Sequence, residues 1–158
     1  MANRYLMPIY KELFESDFSY QDFDNRMEMQ KAIYLLQDMG VPVGDYGFRW
    51  YLHGPYSQTL QDDMYYEQDR DLSINLSSEN AESIGKLHDV IHLEKPDNYT
   101  RSQWIECLAS LRYLQENVLR SDASEEEIVS ELEQRKQHLN DHTSNLHAFH
   151  LVKGLFAR

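Results

Sequence analysis

The strongest constraint on this chain is a succession of amphipathic segments, each bounded by residues that start or stop a helix. In the first segment, residues 4–16, apolar side chains recur at spacings of three and four: Tyr5, Leu6, Ile9, Tyr10, Leu13 and Phe14. This spacing places them on one face of a helix. A second stripe, in MEMQKAIYLLQDMG, ends where Gly40 and Pro42 disfavour further helix. The pattern predicts helices that pack through apolar faces.

The second half of the chain repeats this pattern, with helix-start signals before the apolar stripes. Thr100 precedes the long segment RSQWIECLASLRYLQENVL, and Ser124 with Glu127 forms a Ser-x-x-Glu capping box before the next stripe. Thr143 is predicted to start the last helix. Residues 78–157 are therefore predicted to be a helical C-terminal half.

One stretch between these halves, FRWYLHG, alternates as a strand does. One face carries apolar side chains and is predicted to be buried: Phe48, Trp50 and Leu52. The outward face carries polar and aromatic side chains: Arg49, Tyr51 and His53.

A Gly-Pro pair follows this strand. Gly54–Pro55–Tyr56–Ser57 predicts a turn with proline at its second position, and Ser57 is predicted to cap the next helix, QTLQDDMYYE, by accepting a backbone N–H bond. The stretch DLSINLS at 71–77 also alternates, so we expect it to pair with the first strand as a small antiparallel wing.

The predicted fold class is mainly α (α+β), a single domain over residues 1–158 with about seven helices and a two-stranded β wing. A chain of 158 residues suits one domain. The first residues lack an export signal, and no apolar run approaches the ~20 residues of a membrane helix. With a single cysteine, Cys107, no intramolecular disulfide can form. We therefore expect a cytoplasmic protein with no membrane association.

The charge of the chain limits its partners. Formal net charge is -12, from 27 acidic and 15 basic side chains. An acidic protein repels the phosphate backbone unless its cations cluster on one face, so no nucleic acid partner is expected. A basic protein partner is electrostatically favoured.

The helix MQKAIYLLQDMG and the stretch FRWYLHGPYSQTLQDDM together form an ordered motif. The helix carries Gln-Lys-x-x-Tyr at Gln30, Lys31 and Tyr34, and the aromatic strand and Gly54–Pro55 follow. This motif core, residues 27–66, resembles the Panacea domain, also called the SocA-like antitoxin domain, and is similar to bacterial proteins of the YwgA type. The resemblance implies a non-enzymatic, antitoxin-like or phage-defence-associated protein that binds a toxic partner and holds it inactive.

The predicted partner-binding residues lie in this motif. Gln30 and Lys31 recur in the resembled family, and the outward side of the strand and turn adds four more: Arg49, Tyr51, His53 and Tyr56. Tyrosine supplies large contact area at low rotamer cost and is enriched at interfaces, and this chain has 11 tyrosines. The alternative for Lys31 and Arg49 is a local ion pair.

A catalytic interpretation of the same stretch is not favoured. His53, Ser57, Asp62 and Asp63 offer a base, a hydroxyl and acids within a short span. However, a capping role for Ser57 engages the oxygen that a nucleophile would use. We expect no catalytic residue and no enzymatic activity.

Two histidine patterns raise the possibility of a metal. In HDVIH, His88 and His92 share a helical face, and a third ligand would have to come from Glu94 or elsewhere. Surface histidines are the simpler interpretation, so no metal site or cofactor is predicted. The same holds for four histidines near the C-terminus: His138, His142, His147 and His150.

Two other function classes remain open as alternatives. A metal-dependent hydrolase would use the HDVIH segment. A winged-helix-like DNA-binding regulator would place SQTLQDDMYYE as its recognition helix, although this helix has three acidic residues and no Lys or Arg.

Overall fold

The computed structural model describes residues 5–69 and 76–157, which form seven α-helices and one two-stranded antiparallel sheet. The strands are β1 Arg49–Tyr51 and β2 Gly54–Tyr56. The helices are α1 Leu6–Phe14, α2 Phe23–Asp38, α3 Gln58–Glu67, α4 Ser78–Leu93, α5 Arg101–Tyr113, α6 Glu125–Arg135 and α7 His142–Phe156. The predicted mainly α fold with a small β wing is confirmed. None of the helices described has the length and apolar character needed to cross a bilayer.

Helix starts follow from the predicted side-chain caps. Ser57 Oγ accepts a hydrogen bond from the Leu60 N–H at 3.3 Å, at the start of α3. Thr100 and Ser124 each form a capping box, at the starts of α5 and α6. Each cap satisfies backbone N–H groups that a helix leaves without an internal partner.

Some helix boundaries differ from the sequence prediction, as the segments around α5 and α7 show. The helix α7 begins one residue before Thr143, because the Asp141 side chain accepts the Ser144 N–H at 3.2 Å and is the cap. The segment predicted as one helix over 101–119 is an α-helix to Tyr113 and then a π-helical turn, Leu114–Val118.

The helix α5 lies at the centre of the core and packs against α2 and α7. Its residues from Trp104 to Leu111 are all buried, as expected for a helix that other elements surround. The Trp104 indole N–H donates to the Val90 carbonyl at 2.9 Å, so this buried donor is satisfied. Apolar side chains of every helix contribute to the same core cluster.

The β hairpin corrects the predicted turn. Residues 54–56 form β2, and β1 pairs with it in the register Arg49↔Tyr56, Trp50↔Pro55 and Tyr51↔Gly54. The reversal therefore lies at Leu52 and His53, before the Gly-Pro pair. Gly54, with φ of 91°, supplies the positive φ that this tight hairpin needs.

The predicted burial of one strand face is also corrected. Leu52 is 72% exposed because it lies in the turn, and Phe48 and Trp50 are only half-buried. The Trp50 ring packs on Tyr113 and lies 5.0 Å from Lys136 Nζ. The expected wing strand is DLSINLS, and its residues 71–75 lie outside the described part of the chain.

Candidate functional site

A pocket of about 360 Å³ opens between the first half of α2, the β1–β2 hairpin and the start of α3. We call it the hairpin pocket. Five of the six residues predicted to bind a partner line it: Gln30, Lys31, Tyr51, His53 and Tyr56. The remaining lining residues are Phe23, Arg26, Met27, Leu52, Gln58 and Gln61. The sixth predicted residue, Arg49, is exposed on β1 beside this lining.

Gln30 fixes the junction between β2 and α3. Its side chain is buried, and its amide makes two hydrogen bonds to one residue. Nε2 donates to the Ser57 carbonyl at 2.9 Å, and Oε1 accepts the Ser57 N–H at 2.9 Å. This pair replaces the bonds that a neighbouring strand would provide to a buried backbone. Gln30 therefore fixes the backbone beside the pocket and, with Lys31, forms the pocket floor.

Lys31 brings a buried amine to the same place. The residue is 1% exposed, and Nζ donates to the Pro55 carbonyl at 2.7 Å. Burial lowers the pKa of this amine to about 7, although the carboxylate of Glu106 opposes the shift. The nearby carboxylate of Glu28 forms an ion pair with Arg101 instead, at 2.7 Å. Lys31 thus holds the Gly-Pro strand against α2.

Behind the turn lies a buried carboxylate, Glu106 of α5. Its oxygens are 3.1 Å from His138 Nε2, 3.6 Å from Lys136 Nζ and 3.9 Å from His53 Nδ1. Lys136 also donates to the carbonyl of Leu52 in the turn. This network ties the hairpin to α5 and to the residue that follows α6. Burial lowers the pKa of His53, with Glu106 acting in the opposite direction.

The rim of the pocket is apolar and exposed. Phe23 is 51% exposed, Tyr51 is 57% exposed, and Leu52 projects from the hairpin turn. The rings of Tyr51 and Tyr56 lie 5.2 Å apart. Large apolar side chains grouped at the mouth of a cavity are typical of interaction surfaces.

The lining is rich in hydrogen-bond donors, although the whole chain is acidic. It contains Arg26, Lys31 and His53, and none of its residues within the described part of the chain is Asp or Glu. The Arg26 guanidinium lies 5.7 Å from the Phe23 ring centre and also donates to a backbone carbonyl. A group that enters this pocket meets donors and apolar surface. This favours apolar or anionic groups over cationic ones.

Sequence interpretation missed the contribution of the first turns of α2 to this pocket. Phe23, Met27, Gln30 and Lys31 recur at spacings of three and four, which marks a second helical face. This spacing was a usable signal. Glu106 and Lys136 carried no such signal, because they are distant from the hairpin in sequence.

The hydroxyl and imidazole of the catalytic interpretation have separate partners. Ser57 Oγ accepts the helix-capping bond and is buried, whereas His53 Nδ1 faces Glu106. Asp63 accepts a hydrogen bond from the Tyr46 hydroxyl at 2.6 Å. These groups are therefore arranged for structural roles in the hairpin and in α3.

A second polar cluster lies where the end of α1 meets α4. Glu15 Oε2 is 3.1 Å from His88 Nε2 and 3.5 Å from His92 Nε2. We call this group the Glu15–His88–His92 cluster. Glu94, the nearby candidate for a third ligand, instead lies 3.1 Å from His147 Nε2.

The four C-terminal histidines are dispersed rather than gathered. Each contacts carboxylates of its own: His138 with Glu106, His142 with Glu126 and Glu133, His147 with Glu94, and His150 with Glu125. Side chains of one tract therefore contact carboxylates on α5, on α6 and just after α4. They do not form a common site in the described residues.

No family model, curated protein or solved structure matches this chain. The resemblance of residues 27–66 to the Panacea domain therefore stays a prediction.

Proposed function

We propose that this protein is a non-enzymatic protein-binding module whose hairpin pocket receives an anchor side chain of a protein partner. The observation that carries the proposal is the exposed rim of Phe23, Tyr51 and Leu52 around a pocket with a fixed polar floor. Interface hot spots combine such anchors with desolvated pockets. The partner surface would cover the rim and its anchor would fill the pocket.

The rigidity of the floor supports binding without a large rearrangement. Gln30 and Lys31 hold the backbone of Pro55 and Ser57 by buried hydrogen bonds. A preformed pocket lowers the entropy lost on binding. At the rim, Lys136 holds the Leu52 carbonyl in the same way, while the Leu52 side chain extends into solvent.

Charge supports a particular partner chemistry. The net charge of -12 attracts a basic protein at long range and raises the association rate. Inside the pocket, the Arg26 charge and the lack of any acidic residue in the lining disfavour a cationic anchor, so we expect an apolar side chain to enter it. The partner is then a basic protein that presents an exposed apolar residue.

The resemblance of residues 27–66 to the Panacea domain supports an antitoxin-like role. In that role, occlusion of a toxic protein by the rim keeps it inactive. The acidic surface suits a basic toxin. Since no catalytic step is needed for occlusion, this role requires only affinity and coverage.

The test is affinity capture from the native cell with three tagged forms: wild type, Leu52→Asp and Leu93→Asp. Leu52 and Leu93 are matched, since they are 72% and 75% exposed and Leu93 ends α4 outside the pocket lining. We expect one basic protein to be lost with Leu52→Asp and retained with Leu93→Asp. Binding of that purified protein should then weaken at least about tenfold with Leu52→Asp, as for a hot-spot residue.

Equal capture by all three forms would contradict the proposal, as would equal loss with both variants. Salt-sensitive binding of the purified chain to DNA would instead favour the winged-helix alternative. Asp62 and Asp63 on α3 would be unfavourable beside phosphates, so we do not expect this result.

A further inference from the structure

The C-terminal end of α1 and the last turns of α4 bring three ligand-bearing side chains together. Glu15 precedes His88 by 73 residues in the sequence. In the structure, its carboxylate nevertheless lies beside the imidazoles of both His88 and His92. The ligand atoms of all three lie within 4.8 Å of one another. Two imidazoles and one carboxylate are a common zinc ligand set.

We propose that Glu15, His88 and His92 form a binding site for a divalent transition metal ion, with zinc as the ion that these ligands suit best.

The spacing of the ligand atoms fits tetrahedral coordination. Metal–ligand bonds of about 2.0–2.2 Å place two tetrahedral ligands about 3.3 Å apart. Glu15 Oε2 lies 3.1 Å from His88 Nε2 and 3.5 Å from His92 Nε2, on either side of that value. These two spacings therefore need adjustments of only a few tenths of an ångström, and all three ligand atoms lie within 4.8 Å of one another.

A fourth side chain orients one of the ligands. His88 Nδ1 is 3.1 Å from Asp89 Oδ1, so Nδ1 donates to this carboxylate and Nε2 is left to face Glu15. A carboxylate behind a ligating histidine selects the tautomer that binds metal. Asp89 is thus a positioning residue for His88.

The end of α1 also favours a cation. Glu15 adopts the left-handed conformation, with φ of 59° and ψ of 29°, and this ends the helix and presents its side chain to α4. The Leu13 carbonyl, in the last turn, lies 2.6 Å from His92 Nε2 and accepts its proton. On metal binding, Nε2 would lose this proton and coordinate the ion instead. Helix C-termini carry partial negative charge, which stabilises a cation there.

An ion-pair cluster without metal explains these contacts less well. The rings of His88 and His92 lie 4.4 Å apart and both direct Nε2 at one oxygen of Glu15. Two protonated imidazoles this close would repel each other, and His92 would share the Glu15 carboxylate with His88, which also contacts Asp89. Neutral imidazoles around a metal ion remove that conflict.

The site is open on one side. A cavity of about 320 Å³ between α1 and α4 is lined by Glu15 and His88, together with Lys11, Glu12 and Gly85 among others. Three protein ligands leave a fourth tetrahedral position, and here it would face solvent. Water or an anionic group can occupy such a position.

The test is isothermal titration of the full chain, stripped with a chelator, with ZnCl₂. We expect one zinc ion per chain for wild type, and loss of this binding for His88→Asn, His92→Asn and Glu15→Gln. Asp89→Asn should weaken it about tenfold, as for a residue that positions a ligand. The matched control is His147→Asn, which removes an exposed histidine paired with Glu94 and should bind zinc as wild type does.

A second measurement separates metal binding from folding. Co²⁺ should give visible d–d absorption of tetrahedral type with wild type and with His147→Asn, but not with His88→Asn. Zinc should raise the melting temperature of wild type and leave that of His88→Asn unchanged, with the metal-free values of the two close together.

Three results would overturn the proposal. One is wild type without saturable one-to-one zinc binding. Another is His88→Asn with wild-type affinity. The third is equal weakening by His147→Asn, which would identify adventitious binding by surface histidine–glutamate pairs. If His88→Asn fails to fold, unchanged zinc affinity in both Glu15→Gln and Asp89→Asn would overturn it instead.

Discussion

The hairpin pocket and the Glu15–His88–His92 cluster use polar side chains in opposite ways. At the pocket floor, Gln30 and Lys31 are buried and hydrogen-bond to the main chain. In the cluster, the side chains are partly exposed and contact one another. The first arrangement stabilises a shape whose rim is available for contact. In the second arrangement, the imidazole nitrogens and the carboxylate oxygen can release a proton and bind a metal ion in its place.

The same contrast should appear in mutational energies. Removing a buried polar side chain leaves its backbone N–H or C=O partner without a hydrogen bond. Breaking an exposed ion pair, in contrast, returns the remaining charged group to water. Substitutions at the pocket floor should therefore reduce stability strongly. Substitutions in the metal-free cluster should reduce it little while abolishing metal affinity.

The largest effect is expected for Gly54→Ala. Gly54 has a positive φ, and a Cβ there would collide with Ser110 Oγ on α5. Backbone strain and overpacking together should lower the free energy of unfolding by about 3 kcal/mol or more. Chemical denaturation measures this. The control Gly47→Ala, with open space around its Cβ, should change stability by less than about 1 kcal/mol, and similar losses for both would refute the packing argument.

Next in size is Gln30→Ala. It leaves the buried N–H and C=O of Ser57 without their side-chain partner, which should lower the free energy of unfolding by about 2–3 kcal/mol. The control Gln58→Ala removes an exposed amide and should cost no more than about 0.5 kcal/mol. An unchanged free energy of unfolding for Gln30→Ala would mean that water replaces these hydrogen bonds and that the pocket floor is not fixed.

The buried amine of Lys31 should make the free energy of unfolding depend on pH. Its pKa falls from 10.5 to about 7 on folding, so between these values the unfolded state binds a proton that the folded state lacks. Stability should therefore rise with pH in this window, by up to about 1.4 kcal/mol per pH unit. Denaturation of wild type and Lys31→Met between pH 7.5 and 9.5 measures the slope. Equal slopes in the two proteins would show that Lys31 stays protonated when folded.

The smallest effect is expected in the cluster, with the opposite pH dependence. The bond to Asp89, then Glu15, raises the pKa of His88, so its stabilisation is complete below the unfolded value of 6.5 and is lost as pH rises through the folded pKa. In the metal-free protein, Glu15→Gln should lower the free energy of unfolding by less than about 1 kcal/mol at pH 6. The decrease should be smaller still at pH 8. Glu12→Gln is the control. A loss of several kcal/mol would show that Glu15 is a structural residue first.

Local sequence determined much of this protein. The stripes of α1 and α2 and the caps Ser57, Thr100 and Ser124 were predictable, because a cap or a stripe depends on residues three or four positions apart. Gln30, Lys31, Tyr51, His53 and Tyr56 were also singled out together and line one pocket. Their grouping followed from a motif in which helix, strand and turn are close in sequence.

Tertiary structure alone decided the rest. The main chain of the hairpin is held by Lys31 of α2 and by Lys136, which follows α6, and the chain reverses at Leu52. The alternation of Phe48 and Trp50 does not encode these contacts. Likewise, the HDVIH pattern placed two histidines on one helical face, but Glu15 joins them only when α1 packs on α4. Contacts between residues many positions apart depend on how whole helices pack, and no local pattern specifies them.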